Sequence, residues 1–186
     1  MMPHRARRTS TRWILAAALG LSVPEPIHAQ WSASPIVAVG PLIPAGPLRD
    51  AVREGAALKL GLWLRAPRVP IGVTTEAMLA QFGGSASSDG LRNARVGALT
   101  ANVTTRRHDR RLDTYGIAGA GWYWMDNMTP RYNERHAPGF NVGIGEVVSL
   151  GNTDYFVEIR LHAVRVTSQT GAGWMTFAPL LLGARF

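Results

Sequence analysis

The chain has 186 residues, with 20 basic and 12 acidic side chains and no cysteine. The lack of cysteine excludes disulfides, cysteine-ligated zinc and thiol catalysis, and the length fits a single domain. The basic excess forms neither a basic helix nor an aromatic-basic alternation, so nucleic acid is not an expected partner.

Residues 1–29 have the pattern of an export signal. Arginines at positions 5, 7, 8 and 12 precede an apolar stretch over 13–23, which is too short to cross a bilayer as a helix. Pro24 and Pro26 end that stretch, and Ala29 provides a small residue suited to cleavage. We therefore predict a cleavable signal peptide at 1–29 and one mature domain at 30–186.

The mature chain divides into eight segments in which apolar residues alternate with polar or small ones, with a period of two. This period indicates β-strands rather than helices. In chain order the segments are 35–45, 55–66, 69–82, 93–105, 113–125, 139–150, 154–166 and 174–186. The fifth and sixth segments are rich in glycine, so their two faces are not assigned from the sequence.

The second segment shows the alternation most clearly. Its leucines fall on one face, and its basic and aromatic residues fall on the other. The first face carries Leu58, Leu60, Leu62 and Leu64, and the second carries Lys59, Trp63 and Arg65.

The links between the segments alternate roughly between long and short. The long ones are 46–54, 83–92, 126–138 and 167–173, and the shorter ones are 65–68, 106–112 and 151–153. Outer-membrane barrels have this pattern, with short periplasmic turns and longer extracellular loops. We predict an all-β fold: an eight-stranded antiparallel up-and-down transmembrane β-barrel. The alternative is a soluble lipocalin-like barrel, with the leucine face inside and the charged face in water.

Aromatic residues cluster near the ends of the segments, where a membrane interface would lie. At the predicted outer rim we place Phe82, Trp122, Tyr123, Trp124, Phe140 and Trp174, and at the periplasmic rim Tyr115, Tyr155 and Phe186. Trp63 and Phe156 are expected inside the barrel instead.

The last segment ends on Phe186, with Leu180, Leu182 and Ala184 at the alternate positions before it. This resembles the C-terminal assembly signal of outer-membrane β-barrel proteins, which implies the barrel-assembly machinery as a partner. Together with 139–146 and 155–162, the segment resembles the small OmpA/OmpX-like family of outer-membrane β-barrel domains. The resemblance covers the mature chain and implies a Gram-negative-type outer membrane, contact with its lipid and lipopolysaccharide, and a monomer.

Six polar residues are predicted to face the interior: Lys59, Arg65, Glu76, Glu158, Arg160 and His162. An eight-stranded barrel is just wide enough to be filled by side chains. An unpaired buried charge costs roughly several kcal/mol. We therefore expect these residues to form a polar network that packs the lumen.

Three functions follow from this organisation. The first is a structural or surface-interaction role in the cell envelope, and the second is a narrow channel for small or hydrophobic solutes. The third is a lipid A-modifying enzyme, because small barrels of this kind include deacylases that use a histidine. Val164 occupies the place where the deacylase pattern His-x-Ser requires serine after His162. We therefore assign no catalytic residue, cofactor or metal.

Overall fold

The computed structural model describes residues 32–66, 69–84, 94–108, 113–128, 132, 135–168 and 171–186. The predicted signal peptide at 1–29 lies outside the described residues. Within these ranges, no helix has the length and apolar character needed to cross a membrane.

Each of the eight predicted segments overlaps one strand of the structure. The strands are β1 (Ser32–Ala45), β2 (Val52–Arg65), β3 (Ile71–Gly84), β4 (Arg95–His108), β5 (Asp113–Asp126), β6 (His136–Leu150), β7 (Thr153–Ser168) and β8 (Gly171–Arg185). A short 3-10 helix, η1 (Gly46–Asp50), lies between β1 and β2.

The strands form one closed barrel in which each strand pairs with its neighbours in the chain. All pairs are antiparallel, and β8 returns to pair with β1 from Ile36 opposite Arg185 to Ala45 opposite Thr176. The N–H of Phe186 extends this seam by donating to the carbonyl oxygen of Pro35 at 3.1 Å. The predicted eight-stranded up-and-down barrel is confirmed.

The barrel has two ends, which we call the terminal end and the loop end. The terminal end holds the start of β1, the end of β8 and the links between β2 and β3, β4 and β5, and β6 and β7. The loop end holds the other links. There η1 places Leu48 wholly inside the barrel, and Met128 and Tyr132 are buried with it.

The predicted loop at 167–173 is wrong. β7 and β8 continue through most of it, with Thr167 opposite Ala172 and Ser168 opposite Gly171. Gly171 has a φ of 120°, a conformation that glycine adopts without steric cost and that suits a tight turn. The two strands therefore stay paired as far as Ser168 and Gly171, and the polar and small residues there lengthen the strands instead of forming a long loop.

The leucine face of β2 lies outside the barrel. Leu58, Leu60 and Leu62 are 40%, 52% and 47% exposed, whereas Lys59 and Trp63 on the opposite face are 2% and 7% exposed. The lipocalin-like alternative requires the reverse arrangement and is wrong.

Strand alternation also sorts the aromatic residues. Trp122, Trp124, Phe140 and Trp174 are exposed on the outer wall towards the loop end, and Tyr155 and Phe186 are exposed towards the terminal end. Phe82, Tyr115 and Tyr123 are buried inside, so their predicted place at the rims is wrong. Tyr123 shows the reason, because it lies between two outward tryptophans and a strand turns successive side chains to opposite faces. The predicted interior positions of Trp63 and Phe156 are confirmed.

Candidate functional site

The inward side chains include a cluster of four charged residues at mid-height. We call Lys59 of β2, Glu76 of β3, and Glu158 and Arg160 of β7 the central cluster. Each is at most 4% exposed. Alternation alone places them inside, because each lies between two outward residues on its strand.

The four charges pair across the lumen. The Arg160 guanidinium donates from Nη1 to Glu76 Oε2 at 2.5 Å and from Nη2 to Glu158 Oε1 at 2.7 Å. Lys59 Nζ donates to the same Glu158 oxygen at 2.7 Å and lies 3.7 Å from Glu76 Oε1. Two cations thus face two carboxylates, and the cluster has no net charge.

Uncharged polar groups extend the hydrogen bonding around the cluster, although Arg160 Nε has no hydrogen-bond partner among the described residues. Asn102 Nδ2 lies 3.2 Å from Glu76 Oε2 and 3.0 Å from the Thr74 hydroxyl. Asn141 donates from Nδ2 to Asn102 Oδ1 at 2.9 Å, and the Tyr115 hydroxyl donates to Glu158 Oε2 at 2.8 Å. The network therefore joins side chains from β2 to β7. Such satisfaction matters because each unpaired buried polar group costs about 1–3 kcal/mol.

His162 lies two residues beyond Arg160 on β7 and belongs to a separate aromatic layer. Its Nδ1 is 2.9 Å from the Tyr123 hydroxyl, and its ring stacks on Phe177 with centroids 4.9 Å apart and planes 5° apart. Phe82 packs edge-on against the same Phe177 ring. This layer lies in the lumen between the central cluster and the loop end.

The structure separates Arg65 from the other predicted lumen residues. Arg65 has the same inward alternation as Lys59, but it is the last residue of β2 and is exposed at the terminal end. Alternation fixes which way a side chain turns, but it does not fix its depth along the barrel axis. A charge at the rim reaches water and needs no buried partner.

A second set of ion pairs, not predicted from the sequence, lies at the terminal end. Arg185 pairs with Asp154, and Arg106 pairs with Asp113. The Arg185 guanidinium also lies 4.1 Å from the centroid of the Trp63 ring, in cation–π range. The alternation of β4 and β7 places Arg106 and Asp154 on the inward face. Asp113, the partner of Arg106, lies on β5, whose faces the sequence does not assign. Arg185, the partner of Asp154, is the residue before the last of the chain.

Two of the central cluster's polar neighbours were also missed. Asn102 and Asn141 occupy inward positions of β4 and β6 and are each 2% exposed. Asn102 carries a usable signal, since it lies between the outward Ala101 and Val103. Asn141 lies in the glycine-rich sixth segment, where the sequence shows no clear face.

The arrangement around His162 bears on the enzyme alternative. Glu158 contacts Lys59, Tyr115 and Arg160, and His162 contacts Tyr123. A hydrolase needs a nucleophile within hydrogen-bond reach of its base, and Val164, the next inward residue, is wholly buried and apolar. Among the described residues, no group of three or more histidine or acidic side chains is arranged to hold a metal ion.

The geometry defines a class of protein: a closed eight-stranded barrel with paired charges inside and large apolar residues outside. Among solved structures, the chain is similar to Neisserial surface protein A, with a TM-score of 0.67 over 83% of this chain and 97% of that one. The sequences are 12% identical, so the similarity concerns the fold. No protein-family model and no curated protein matches the sequence.

The central cluster generates a prediction about stability. Glu158→Gln keeps the shape of the side chain but leaves Lys59 and Arg160 with one carboxylate between them. Because breaking a buried ion pair leaves uncompensated charge, we expect the free energy of unfolding to fall by about 3 kcal/mol. Urea titration of the refolded barrel in lipid vesicles, followed by tryptophan fluorescence, measures this change.

The double variant Lys59→Met with Glu158→Gln restores charge balance and should recover part of the loss. Glu146→Gln is the matched control, since Glu146 is exposed and accepts a hydrogen bond from Thr114; a surface change of this kind shifts stability by about 0.5 kcal/mol or less. Equal losses for the Glu146 and Glu158 variants would contradict the proposed importance of the buried charges.

Proposed function

We propose that the mature chain is an outer-membrane protein that spans the bilayer as a monomeric barrel with a packed lumen. Its role is structural or surface-interacting in the cell envelope. The observation that carries this proposal is the inverted distribution of polarity, with paired charges inside and a continuous apolar surface outside. Soluble monomeric proteins rarely expose an apolar surface of this extent to water.

The apolar surface runs around the barrel, and we call it the apolar belt. Every strand contributes large exposed side chains to it. Examples in strand order are Val39, Leu60, Leu79, Leu99, Trp122, Ile144, Ile159 and Leu182, which are between 47% and 66% exposed. A bilayer is the environment in which this surface is stable.

The height of the apolar belt fits a membrane. On β3 the outward residues from Ile71 to Leu79 span about 27 Å along the strand at about 3.4 Å per residue. A tilt of about 40° reduces this to about 20 Å along the membrane normal, close to the roughly 25 Å of outer-membrane barrels. Exposed Trp124 and Trp174 lie towards one edge and Tyr155 towards the other, where amphipathic rings prefer the interface.

The packed lumen supports a surface role over a channel. The aromatic layer around His162 and the central cluster lie one after the other along the barrel axis, and Leu48 is buried at the loop end. The links after β3 and β5 are then the proposed sites of contact with surface partners, because loops on a rigid scaffold tolerate functional variation. A closed barrel has no free strand edge, which supports a monomer.

The C-terminal strand supports the proposed assembly route after export and removal of the signal peptide. Leu180, Leu182 and Phe186 are 39%, 63% and 60% exposed on the outer wall, and Ala184 shares their side of β8. Before the barrel closes, β8 presents an unpaired edge with this apolar face, and β-strand addition is a general way to recognise such an edge. We propose that the barrel-assembly machinery binds it there.

A first prediction separates a membrane barrel from a soluble one. Leu60→Arg places a charge in the middle of the apolar belt and should lower the free energy of unfolding in vesicles by about 2–4 kcal/mol. Gln81→Arg, at the polar edge of the same wall, should cost about 1 kcal/mol or less. Recovery of the wild-type chain in the soluble periplasmic fraction, with better solubility for Leu60→Arg, would refute the proposal.

A second prediction concerns conduction. The purified barrel in a planar bilayer should give no single-channel steps, because paired charges and stacked rings fill its lumen. Insertion is verified beforehand by heat-modifiable migration on gels. Reproducible conductance steps would replace the packed-lumen proposal with the narrow channel.

A third prediction concerns assembly. Deletion of Phe186 should lower the amount of folded barrel in the outer-membrane fraction several-fold, because the last outward aromatic residue of β8 is lost. Phe140→Ala, which removes an outward aromatic residue from β6, is the control and should assemble nearly normally. Wild-type assembly of the Phe186 deletion would contradict the proposed signal.

A further inference from the structure

The apolar belt is not uniform, because two adjoining depressions lie in the outer wall over β2, β3 and β4. The first has a volume of about 430 Å³ and the second about 410 Å³. They share Leu58, Leu79 and Gly97 among their lining residues. Leu79 is 66% exposed and forms the ridge that both depressions border.

Small residues among large ones produce the depressions. Gly97 lies in register between Leu79 of β3 and Trp124 of β5, so a gap opens where its neighbours project outward. Ala77 lies in the same way between Leu60 of β2 and Leu99 of β4. The neighbouring large side chains form the walls, and the strand backbone forms the floor.

The second depression ends in polar groups on the side of the loop end. Arg95 and Gln81 are register partners, both are exposed, and both line the second depression. No carboxylate among the described residues lines either depression, although Asp126 is the register partner of Arg95 on its other side. A guanidinium at the end of an apolar groove suits a phosphate, which it binds with two parallel hydrogen bonds.

The length of the groove matches one leaflet. From Leu99 to Arg95 the strand covers about 14 Å at about 3.4 Å per residue. A tilt of about 40° reduces this to about 10 Å along the membrane normal, and half of the roughly 25 Å apolar band of outer-membrane barrels is about 12 Å. An acyl chain whose phosphate lies at Arg95 therefore reaches the inner end of the first depression near the bilayer centre.

We propose that this groove is a binding site for one phosphate-bearing membrane lipid. One of its acyl chains runs along the two depressions past Leu79, and its phosphate is held by Arg95 with Gln81. This inference rests on the proposed membrane location and adds to it a fixed lipid at a defined place on the wall.

The test uses native mass spectrometry of the mature barrel released from nanodiscs. The nanodiscs contain equal amounts of phosphatidylglycerol and of the phosphate-free lipid digalactosyldiacylglycerol, with identical acyl chains. We expect the wild-type barrel to retain one phosphatidylglycerol about tenfold more often than one digalactosyldiacylglycerol, since a charge-assisted hydrogen bond to the phosphate contributes about 1.5–3 kcal/mol.

Two variants address the two halves of the site. Arg95→Gln should abolish most of the preference for phosphatidylglycerol. Gly97→Leu should reduce retention of both lipids several-fold by filling the groove. A Cβ at position 97 meets only ordinary contacts, 3.5 Å from Trp124 Cε3 and 3.8 Å from Leu79 Cδ2, so the variant is expected to fold.

Matched controls exist on other parts of the wall. Arg165→Gln removes an exposed arginine of β7 near the loop end, and Ala118→Leu places the same leucine side chain on the outer face of β5. Both should retain lipid as the wild type does.

Three results would overturn the proposal: no lipid preference in the wild type, equal effects of Arg95→Gln and Arg165→Gln, or equal effects of Gly97→Leu and Ala118→Leu. Failure of the chain to enter nanodiscs would instead overturn the membrane location itself. Heat-modifiable migration of each variant confirms that a loss of lipid is not a loss of folding.

Discussion

Arg160 and Lys59 pair with Glu76 and Glu158 at the centre of the barrel, and the stability of the interior requires this pairing. Eight strands enclose a lumen that side chains fill, so a charge placed at its centre has no access to bulk water. Taking such charges out of water is costly unless each finds a partner and further hydrogen bonds. The cluster meets that condition with zero net charge and with amide and hydroxyl groups from the neighbouring strands.

The outer wall follows from this interior. A strand that turns Lys59 inward must turn Leu58 and Leu60 outward, because successive side chains point to opposite faces. Closure of the barrel then exposes a leucine- and valine-rich surface around the whole circumference. Water does not stabilise the apolar outer wall and does not reach the charges inside. Hydrocarbon stabilises the outer wall, and ion pairs stabilise the interior charges. The fold and the membrane environment are therefore linked through one alternation.

The layers within the lumen support the proposed surface role. Stacked His162 and Phe177 lie on one side of the central cluster, and the pairs of Arg185 and Arg106 with their aspartates lie on the other. Both engage groups that a catalytic or conducting site would need to keep accessible, which supports the proposed surface role over those alternatives. Under that proposal, the outer wall and the links at the loop end are the surfaces available to partners, and the groove beside Gly97 gives the wall a specific shape.

The period-two pattern is enough to assign the strands and their faces wherever large apolar residues alternate with polar ones, as in Leu58–Leu64 and 155–163. The same pattern turns Lys59, Glu76, Glu158 and Arg160 inward. It does not show which of these four residues meet. Arg160 and Glu76 lie 84 positions apart on strands that do not pair, so their contact depends on closure and depth along the axis. The same depth leaves Arg65 at the rim, and the glycine-rich β5 and β6 show no face until their neighbours define one.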